Sequence, residues 1–389
     1  MNVPKLRFND FNDDYVINTF DNLINIIDGD RGNNYPKASD FYGDEYCLFL
    51  NAGNVTKKGF NFSNKYFITF KKDNELKNGK LKRNDVVLTT RGTVGNVALY
   101  DYSIPFENIR INSGMVINRI KNDKILLPQY LYRFMQSTYF EYQIKKTNFG
   151  SAQPQLTKSG ITKFTIAYPC VKEQSKVSIF LSLLDKKIEL QSQKIEALKL
   201  YKKGLINLVK NDWKNWKNYK ISDIFKITRG VVIPKNKISE EKNEIYKYPV
   251  YSSQTSNNGI LGYDKIYDYN GKYLTWTTDG ANAGKVFYRD GKFRCTNVCG
   301  ILYEDNPLFT NEFVCELLNY ETPKHVSYVG NPKLMNNVME NINLKLPNND
   351  ILIKTAKLIS LFNKKLENEN DKLIKLHNLK KGLMQNMFV

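Results

Sequence analysis

The chain has 389 residues, 41% of them hydrophobic and 13% aromatic, with 58 Lys+Arg against 39 Asp+Glu for a formal charge of +19. That length is too great for one ordinary core and suits two or three domains, and the apolar content excludes a disordered chain. No apolar run approaches membrane-spanning length and residues 1–7 lack a signal peptide's apolar core, so a soluble cytoplasmic protein is expected, with a polyanion such as nucleic acid as its natural partner.

Five scattered cysteines (Cys47, Cys170, Cys295, Cys299, Cys315) argue for reduced thiols. Cys295 and Cys299 have only His325 and His377 as companion histidines and no second Cys pair. Buried strand cysteines are the better reading, and no metal is expected.

Residues 1–153 read as a strand-rich α+β domain. Val86-Val87-Leu88-Thr89, Asn96-Val97-Ala98-Leu99-Tyr100 and Gly114-Met115-Val116-Ile117 are short β-type runs between Gly/Asn/Asp turns, and a helical stretch runs from Leu127 to Tyr142. Between the first two runs, Thr89-Thr90-Arg91-Gly92-Thr93-Val94-Gly95 forms a tight turn that presents hydroxyls, amides and a guanidinium. Thr90, Arg91, Gly92 and Thr93 are candidate DNA contacts, since Arg reads guanine through paired donors; the alternative is a hairpin whose glycines serve only positive φ. Ser151, Gln153 and Gln155, on the proline-held loop 150–155, are either further DNA contacts or part of a plain linker.

Residues 154–210 form a strand-and-helix block. Phe164-Thr165-Ile166-Ala167-Tyr168 reads as a strand, Pro169 marks a boundary, and a helix is expected from Glu173 to about Leu208. Leu181, Leu184, Ile188, Ile195, Leu198 and Leu205 follow heptad spacing, with polar Gln191 and Lys202 in the skipped places.

Residues 211–331 repeat the strand-rich composition, with runs at Tyr248-Pro249-Val250-Tyr251, Lys272-Tyr273-Leu274-Thr275-Trp276 and Lys285-Val286-Phe287-Tyr288 and a helical stretch from Thr310 to Tyr320. Thr277-Thr278-Asp279-Gly280-Ala281-Asn282-Ala283-Gly284 echoes the earlier turn with one residue inserted. Thr278, Asp279 and Asn282 are therefore candidate contacts, Asp279 through a cytosine amino group. Ser253 and Gln254 sit on another polar loop facing DNA or solvent, and Asn331 and Lys333 occupy a second proline-held loop.

Residues 332–389 repeat the block at 154–210. Lys186-Lys187 recurs at Lys364-Lys365 and Lys202-Lys203-Gly204-Leu205 at Lys380-Lys381-Gly382-Leu383, each 178 residues on. The seam recurs as Ile359, Phe362, Leu366, Leu373, Leu376 and Leu383, interrupted by Glu369 and Lys380. Two such helices in one chain can bury their seams against each other, so the fold expected is α+β with two strand-rich domains separated by two long helices paired as an intramolecular antiparallel coiled coil, a pseudo-twofold repeat. A helix of this length is long enough to hold two domains well apart. Asn349 or Asp350 is the expected N-cap of the second helix. Residues 151–210 carry 11 Lys+Arg against 4 Asp+Glu, whereas 211–330 carry 16 against 14. The charge excess is thus densest in the repeated block.

Catalytic motifs are lacking. There is no Asp/Asn-Pro-Pro-aromatic tetrapeptide for an amino-methyltransferase and no Gly-x-x-x-x-Gly-Lys-Ser/Thr phosphate loop; Glu75-Leu76-Lys77 is half a nuclease motif in a polar stretch that reads as a solvated loop.

Two divergent α+β domains alternating with two near-identical heptad helices resemble the specificity subunit of type I restriction-modification systems over essentially the whole chain. The carriers are Leu379-Lys380-Lys381-Gly382-Leu383-Met384-Gln385-Asn386-Met387-Phe388, Leu183-Leu184-Asp185-Lys186-Lys187-Ile188, Pro4-Lys5-Leu6-Arg7-Phe8 and Thr90-Arg91-Gly92-Thr93-Val94-Gly95. The resemblance implies a non-catalytic subunit with target recognition domains at 1–153 and 211–331 and conserved spacers at 154–210 and 332–389. It further implies a bipartite, asymmetric double-stranded DNA site, two modification (methyltransferase) subunits docked on the helices and motor-nuclease restriction subunits. S-adenosylmethionine, ATP and Mg²⁺ are then expected on those partners, with no cofactor on this chain. Two departures stand out: Ile351-Leu352 where the first copy has Glu173-Gln174, and Arg83-Asn84-Asp85 in place of the usual Gly-Asp. The competing classes are a coiled-coil scaffold and a stand-alone DNA-binding protein without a restriction role.

Overall fold

The computed structural model describes residues 3–147, 155–211, 213–305 and 307–389. It divides into two units, Met1–Ser192 with Lys372–Val389 and Gln193–Asp371. Among the described residues no helix is long and apolar enough to cross a membrane, and no group of three His, Cys, Asp or Glu could hold a metal ion.

The first unit contains β1 (Val16–Thr19), β2 (Ile24–Asp28), β3 (Asp85–Thr89), β4 (Val97–Tyr100), β5 (Met115–Ile120), helices α1 (Pro128–Phe134) and α2 (Thr138–Thr147), β6 (Thr165–Tyr168) and the first part of α3 (Val171–Lys210). A four-stranded sheet runs β2-β5-β3-β4, and β1 pairs antiparallel with β6. Val86, Val87 and Leu88 are all fully buried because the sheet is covered on both faces. Val86, Leu88, Val97 and Val116 face a core with Phe20, Phe134, Phe140 and Phe164; Val87, Ala98, Met115 and Ile117 face another with Leu48, Leu50 and Ile109. The single helical stretch expected from Leu127 to Tyr142 is two helices. The first ends at Phe134, and Ser137 precedes the second, its Oγ accepting from Phe140 N at 3.4 Å. Asn84 stands just before β3 at φ +72, the left-handed position that glycine fills most easily and Asn next best.

The second unit contains β7 (Lys217–Lys220), β8 (Lys226–Arg229), β9 (Tyr248–Tyr251), β10 (Ile260–Asp264), β11 (Tyr269–Thr277), β12 (Val286–Cys295), β13 (Cys299–Tyr303), α4 (Glu312–Glu321), β14 (Asn343–Leu346) and the first part of α5 (Asn349–Asn386). Its sheet runs β8-β13-β11-β12-β9-β10, and β7 pairs antiparallel with β14. The first four strands match β2-β5-β3-β4 one for one, and β7 with β14 matches β1 with β6. Trp276 fills the centre, its Nε1 donating to Leu334 O at 3.0 Å, and Gly300 leaves room for the indole: a Cβ there would lie 2.2 Å from the ring. All five cysteines are free thiols, and four are buried.

At about 1.5 Å per residue, the 40 residues of α3 extend roughly 60 Å. Within the first unit, Leu181, Leu184 and Ile188 of α3 share a core with Leu376, Leu383 and Met384 of α5. Within the second, Ile206 and Val209 of α3 share one with Leu352 and Ile359 of α5, and the Tyr201 and Phe362 rings lie 5.6 Å apart. Early α3 meets late α5 and late α3 meets early α5, so the pair is antiparallel. None of the twelve seam residues is exposed: Ile195, like Leu181, is buried, while Leu198, Leu205, Leu366 and Leu373 are half-buried. The polar interruptions find partners, Glu369 with Lys194 at 3.0 Å, Lys380 with Asp185 at 2.5 Å, and Lys202 with Asn363 Oδ1 at 2.6 Å. α5 is capped one residue earlier than expected, by Asn348, whose Oδ1 accepts from Ile351 N at 3.0 Å.

Candidate nucleic-acid interface

In the first unit the chain leaves β3 at Thr89 and turns back into β4. Gly95 N donates to Thr89 O at 3.0 Å, Asn96 N to Thr89 Oγ1 at 2.9 Å, and Thr89 Oγ1 to Thr93 O. Gly92 and Gly95 take φ of +71 and +94, so the turn needs glycine at both. Two further segments close on it. The Gly114 carbonyl accepts from Thr90 N at 2.8 Å and Arg91 N at 3.2 Å, and Leu156 N donates to Thr90 O at 3.0 Å.

The same frame recurs in the second unit. Gly284 N donates to Thr277 O at 2.8 Å, Lys285 N to Thr277 Oγ1 at 3.1 Å, and Thr277 Oγ1 to Asn282 O. Thr278 N donates to Val298 O at 3.2 Å and Leu334 N to Thr278 O at 2.8 Å. Leu156 and Leu334 are 178 residues apart, so the repeated block docks on the turn through the same backbone bond in each unit. The turn and the first residues of the repeated block, Gln155-Leu156 in one unit and Lys333-Leu334 in the other, come together in each unit.

The side chains differ where the backbone agrees. Arg91 is exposed, and with the Gln155 amide oxygen turned toward it, Nη2 and Nε donate at 2.9 and 3.1 Å. Gly92 and Thr93 are exposed beside it. Asp279 takes the Arg91 place, half-buried and bridged across the backbone to exposed Lys333, with Gly280 N donating to Pro332 O at 3.0 Å. Asn282 and Asn331 are exposed around that pair. A cation meets a neutral amide in one unit; an acid neighbours a cation in the other.

Two of the expected contact residues point inward instead. Thr90 and Thr278 are 2% and 1% exposed, and the Thr90 hydroxyl donates inward to Gly114 O at 3.0 Å. They brace the turns rather than offering hydroxyls to a partner, because a surface turn that docks two segments buries the residue between them. Ser151 and Gln153 lie outside the described residues. Ser253 and Gln254 belong to the loop between β9 and β10, where Gln254 Nε2 donates to Ile260 O. The connection from β12 to β13 links this loop to the turn: Thr296 Oγ1 donates to Ser252 Oγ at 3.0 Å while Val298 O accepts from Thr278. Glu75 ends a short helix, 3.3 Å from Lys72, and Lys77 donates its backbone N to Asp30 at 2.7 Å. Their bonds are structural.

Sequence reasoning missed the clamp at the start of α3. Glu173 and Gln174 are 1% and 0% exposed. Arg7 donates to Glu173 through Nε and Nη2 at 2.8 Å each, and Tyr15 Oη adds a bond at 3.0 Å. The Glu173 hydrogen bond raises the Arg7 pKa, while burial and the nearby carboxylate push the Tyr15 hydroxyl up. Gln174 accepts from Leu127 N at 2.8 Å and donates to Ile125 O and Pro169 O at 2.8 and 2.9 Å. The amino-terminal Pro4-Lys5-Leu6-Arg7-Phe8 stretch was the available signal.

A family model described as the type I restriction modification DNA specificity domain matches residues 12–200 and again 213–378. The chain is 46% identical over 147 residues to the N-terminus of a putative type I specificity subunit from Mycoplasma pneumoniae, covering 38% of this chain and 77% of that one. It is 35% identical over 229 residues to another putative type I specificity subunit of that organism, covering 57% and 83%. It is 40% identical over 150 residues to the specificity subunit of the organism's type I restriction enzyme MpnII, a match spanning 38% of this chain and 44% of that relative. In fold it is similar to the crystal structure of a type I restriction-modification S subunit from M. genitalium, with a TM-score of 0.69 at 17% identity, covering 100% of this chain and 99% of the other.

Proposed function

The chain belongs to the type I restriction modification DNA specificity family, and from that premise we propose that it reads a bipartite, asymmetric DNA site, one half through each unit. It directs adenine methylation, or restriction, by partner subunits that carry the S-adenosylmethionine, ATP and Mg²⁺ chemistry. The observation that carries this reading is the duplicated site: one backbone frame built twice, with Arg91 and Gln155 in one copy and Asp279 and Lys333 in the other. A frame held constant under changed side chains suits two readers of unlike sequences, since base edges are told apart by donor and acceptor pattern.

The helices are proposed to carry the modification subunits. Their seam is spent on intrachain pairing, so a partner meets other residues. Leu183 and Leu361, 178 residues apart, are 65% and 59% exposed, and Tyr201 and Leu379 are 62% and 52% exposed at a second matched pair of places. Exposed apolar side chains repeated on two helices suit two copies of one partner.

Gel shifts of the chain with its methylase test the reading. A single preferred bipartite competitor supports it; equal binding to all sequences leaves a coiled-coil scaffold. Methylation or cleavage of DNA by this chain alone would overturn it.

A further inference from the structure

Strand β12 carries a group that the duplicated site does not use. Arg289 is 2% exposed, and its Nε donates to Thr275 Oγ1 at 3.2 Å. Neither Nη1 nor Nη2 meets an acceptor among the described residues. The guanidinium packs 3.6 Å from the Tyr251 ring centroid and 4.4 Å from that of Phe287, contacts that recover only part of the hydration lost on burial. Desolvation accordingly pulls the Arg289 pKa below its usual value. An unpaired buried charge is among the most unfavourable arrangements in a fold, and it persists where something else supplies the acceptors.

Gly259, at the end of the loop 252–259, lies against this group. A Cβ on Gly259 would sit 2.8 Å from Nη2, so the backbone there approaches as closely as glycine allows. Asn257, Asn258 and Gly259 take φ of +48, +51 and +80 in succession, a left-handed run strained for the two asparagines. The first unit differs at the matching place. Tyr100 pairs with Asp85 as Arg289 pairs with Tyr273, and the Tyr100 hydroxyl lies 2.7 and 2.8 Å from the Phe106 and Glu107 carbonyls. The orphaned donors belong to the second unit.

We propose that Arg289 is a specificity-determining residue that reads a guanine in the second half-site. The strained loop is displaced by DNA, and Nη1 and Nη2 donate to guanine O6 and N7, the two adjacent acceptors that a planar fork matches. This rests on the reading of the chain as a bipartite DNA reader.

The test uses the full chain with its methylase, its target defined by the adenines methylated in a host. Binding is measured to duplexes substituted at each position of the second half-site, at two salt concentrations, for wild type, Arg289→Lys and Arg289→Met. Both variants are expected to lose preference for guanine at one position by roughly ten- to hundredfold and to keep the first half-site. Arg289→Met, freed of an unpaired buried charge, is also expected to melt above wild type. Uniform loss across sequences with a log–log salt slope shallower by about 0.9 would make the residue a phosphate contact and overturn the proposal. Unchanged preference with a lowered melting temperature would make it structural. A wild type without sequence preference removes both this proposal and the bipartite reading; a bipartite preference insensitive to Arg289 removes this proposal alone.

Discussion

At the start of its long helix each unit solves the same packing problem differently. The first buries Glu173 and Gln174 and satisfies them from Arg7, Tyr15, Leu127, Ile125 and Pro169. The second places Ile351 and Leu352 there, the first 37% exposed and the second fully buried. Polar clamp and apolar plug fill one position of one frame, which agrees with the finding that a buried ion pair and an apolar replacement can be close in stability while a half-removed pair is not. The frame tolerates changed chemistry so long as each unit's own polar groups are satisfied. Similarity between the units marks the frame, and difference marks what each does alone.

The largest expected effect concerns the helix common to both units. Inserting four residues within 173–208 is expected to change half-site spacing or abolish modification while each half-sequence stays the same. Altered half-sequences would break the division between spacer and reader.

Exchanging the helix entries comes next. Glu173→Ile, which gives the first unit the residue of the second, strands the largely buried Arg7 and is expected to cost about 3 kcal/mol. The reverse change, Ile351→Glu, lies at a part-exposed position and is expected to stay within about 0.5 kcal/mol. Hydrogen exchange resolved by unit measures both, since two units need not unfold as one. Equal effects would show that the clamp is not what distinguishes the entries.

Recognition should separate in the same way. Arg91→Ala is expected to weaken discrimination by roughly 1–3 kcal/mol at the first half-site only, and Asp279→Ala at the second only. Binding to duplexes with one altered half checks each, and uniform loss would assign the residue to phosphate.

The smallest effect is pH-dependent. In the first unit burial pushes the Asp73 carboxyl up, but the Lys80 and Arg110 bonds outweigh it and leave its pKa below 3.8. A depressed folded pKa means this contribution is complete above the unfolded value and is lost as pH falls through the folded one. Exchange in the segment around residues 70–80 is expected to accelerate only below about pH 4.

Much of the frame was legible because the repeated block is undisturbed: Leu181 to Leu205 and Ile359 to Leu383 keep one offset, so pattern and spacing expose the seam. The matching of β1 to β7 and of β3 to β11 was hidden by loops of unequal length that change the offset along each unit. The turns were legible as motifs, yet their docking on Leu156 and Leu334 was not, because backbone bonds leave no mark in residue identity. Arg289 left a faint one. It shares one strand face with Phe287, Phe293 and Cys295, and the buried state of the last two shows the face is internal.

Two copies of one frame are proposed to read two unlike half-sites. Sequencing the methylated adenines in a host supplied with this chain and its methylase tests it most directly. The expected result is one motif of two different halves at a fixed separation, with Arg91→Ala relaxing one half and leaving the other intact. A single uninterrupted motif, or relaxation of both halves together, would contradict it.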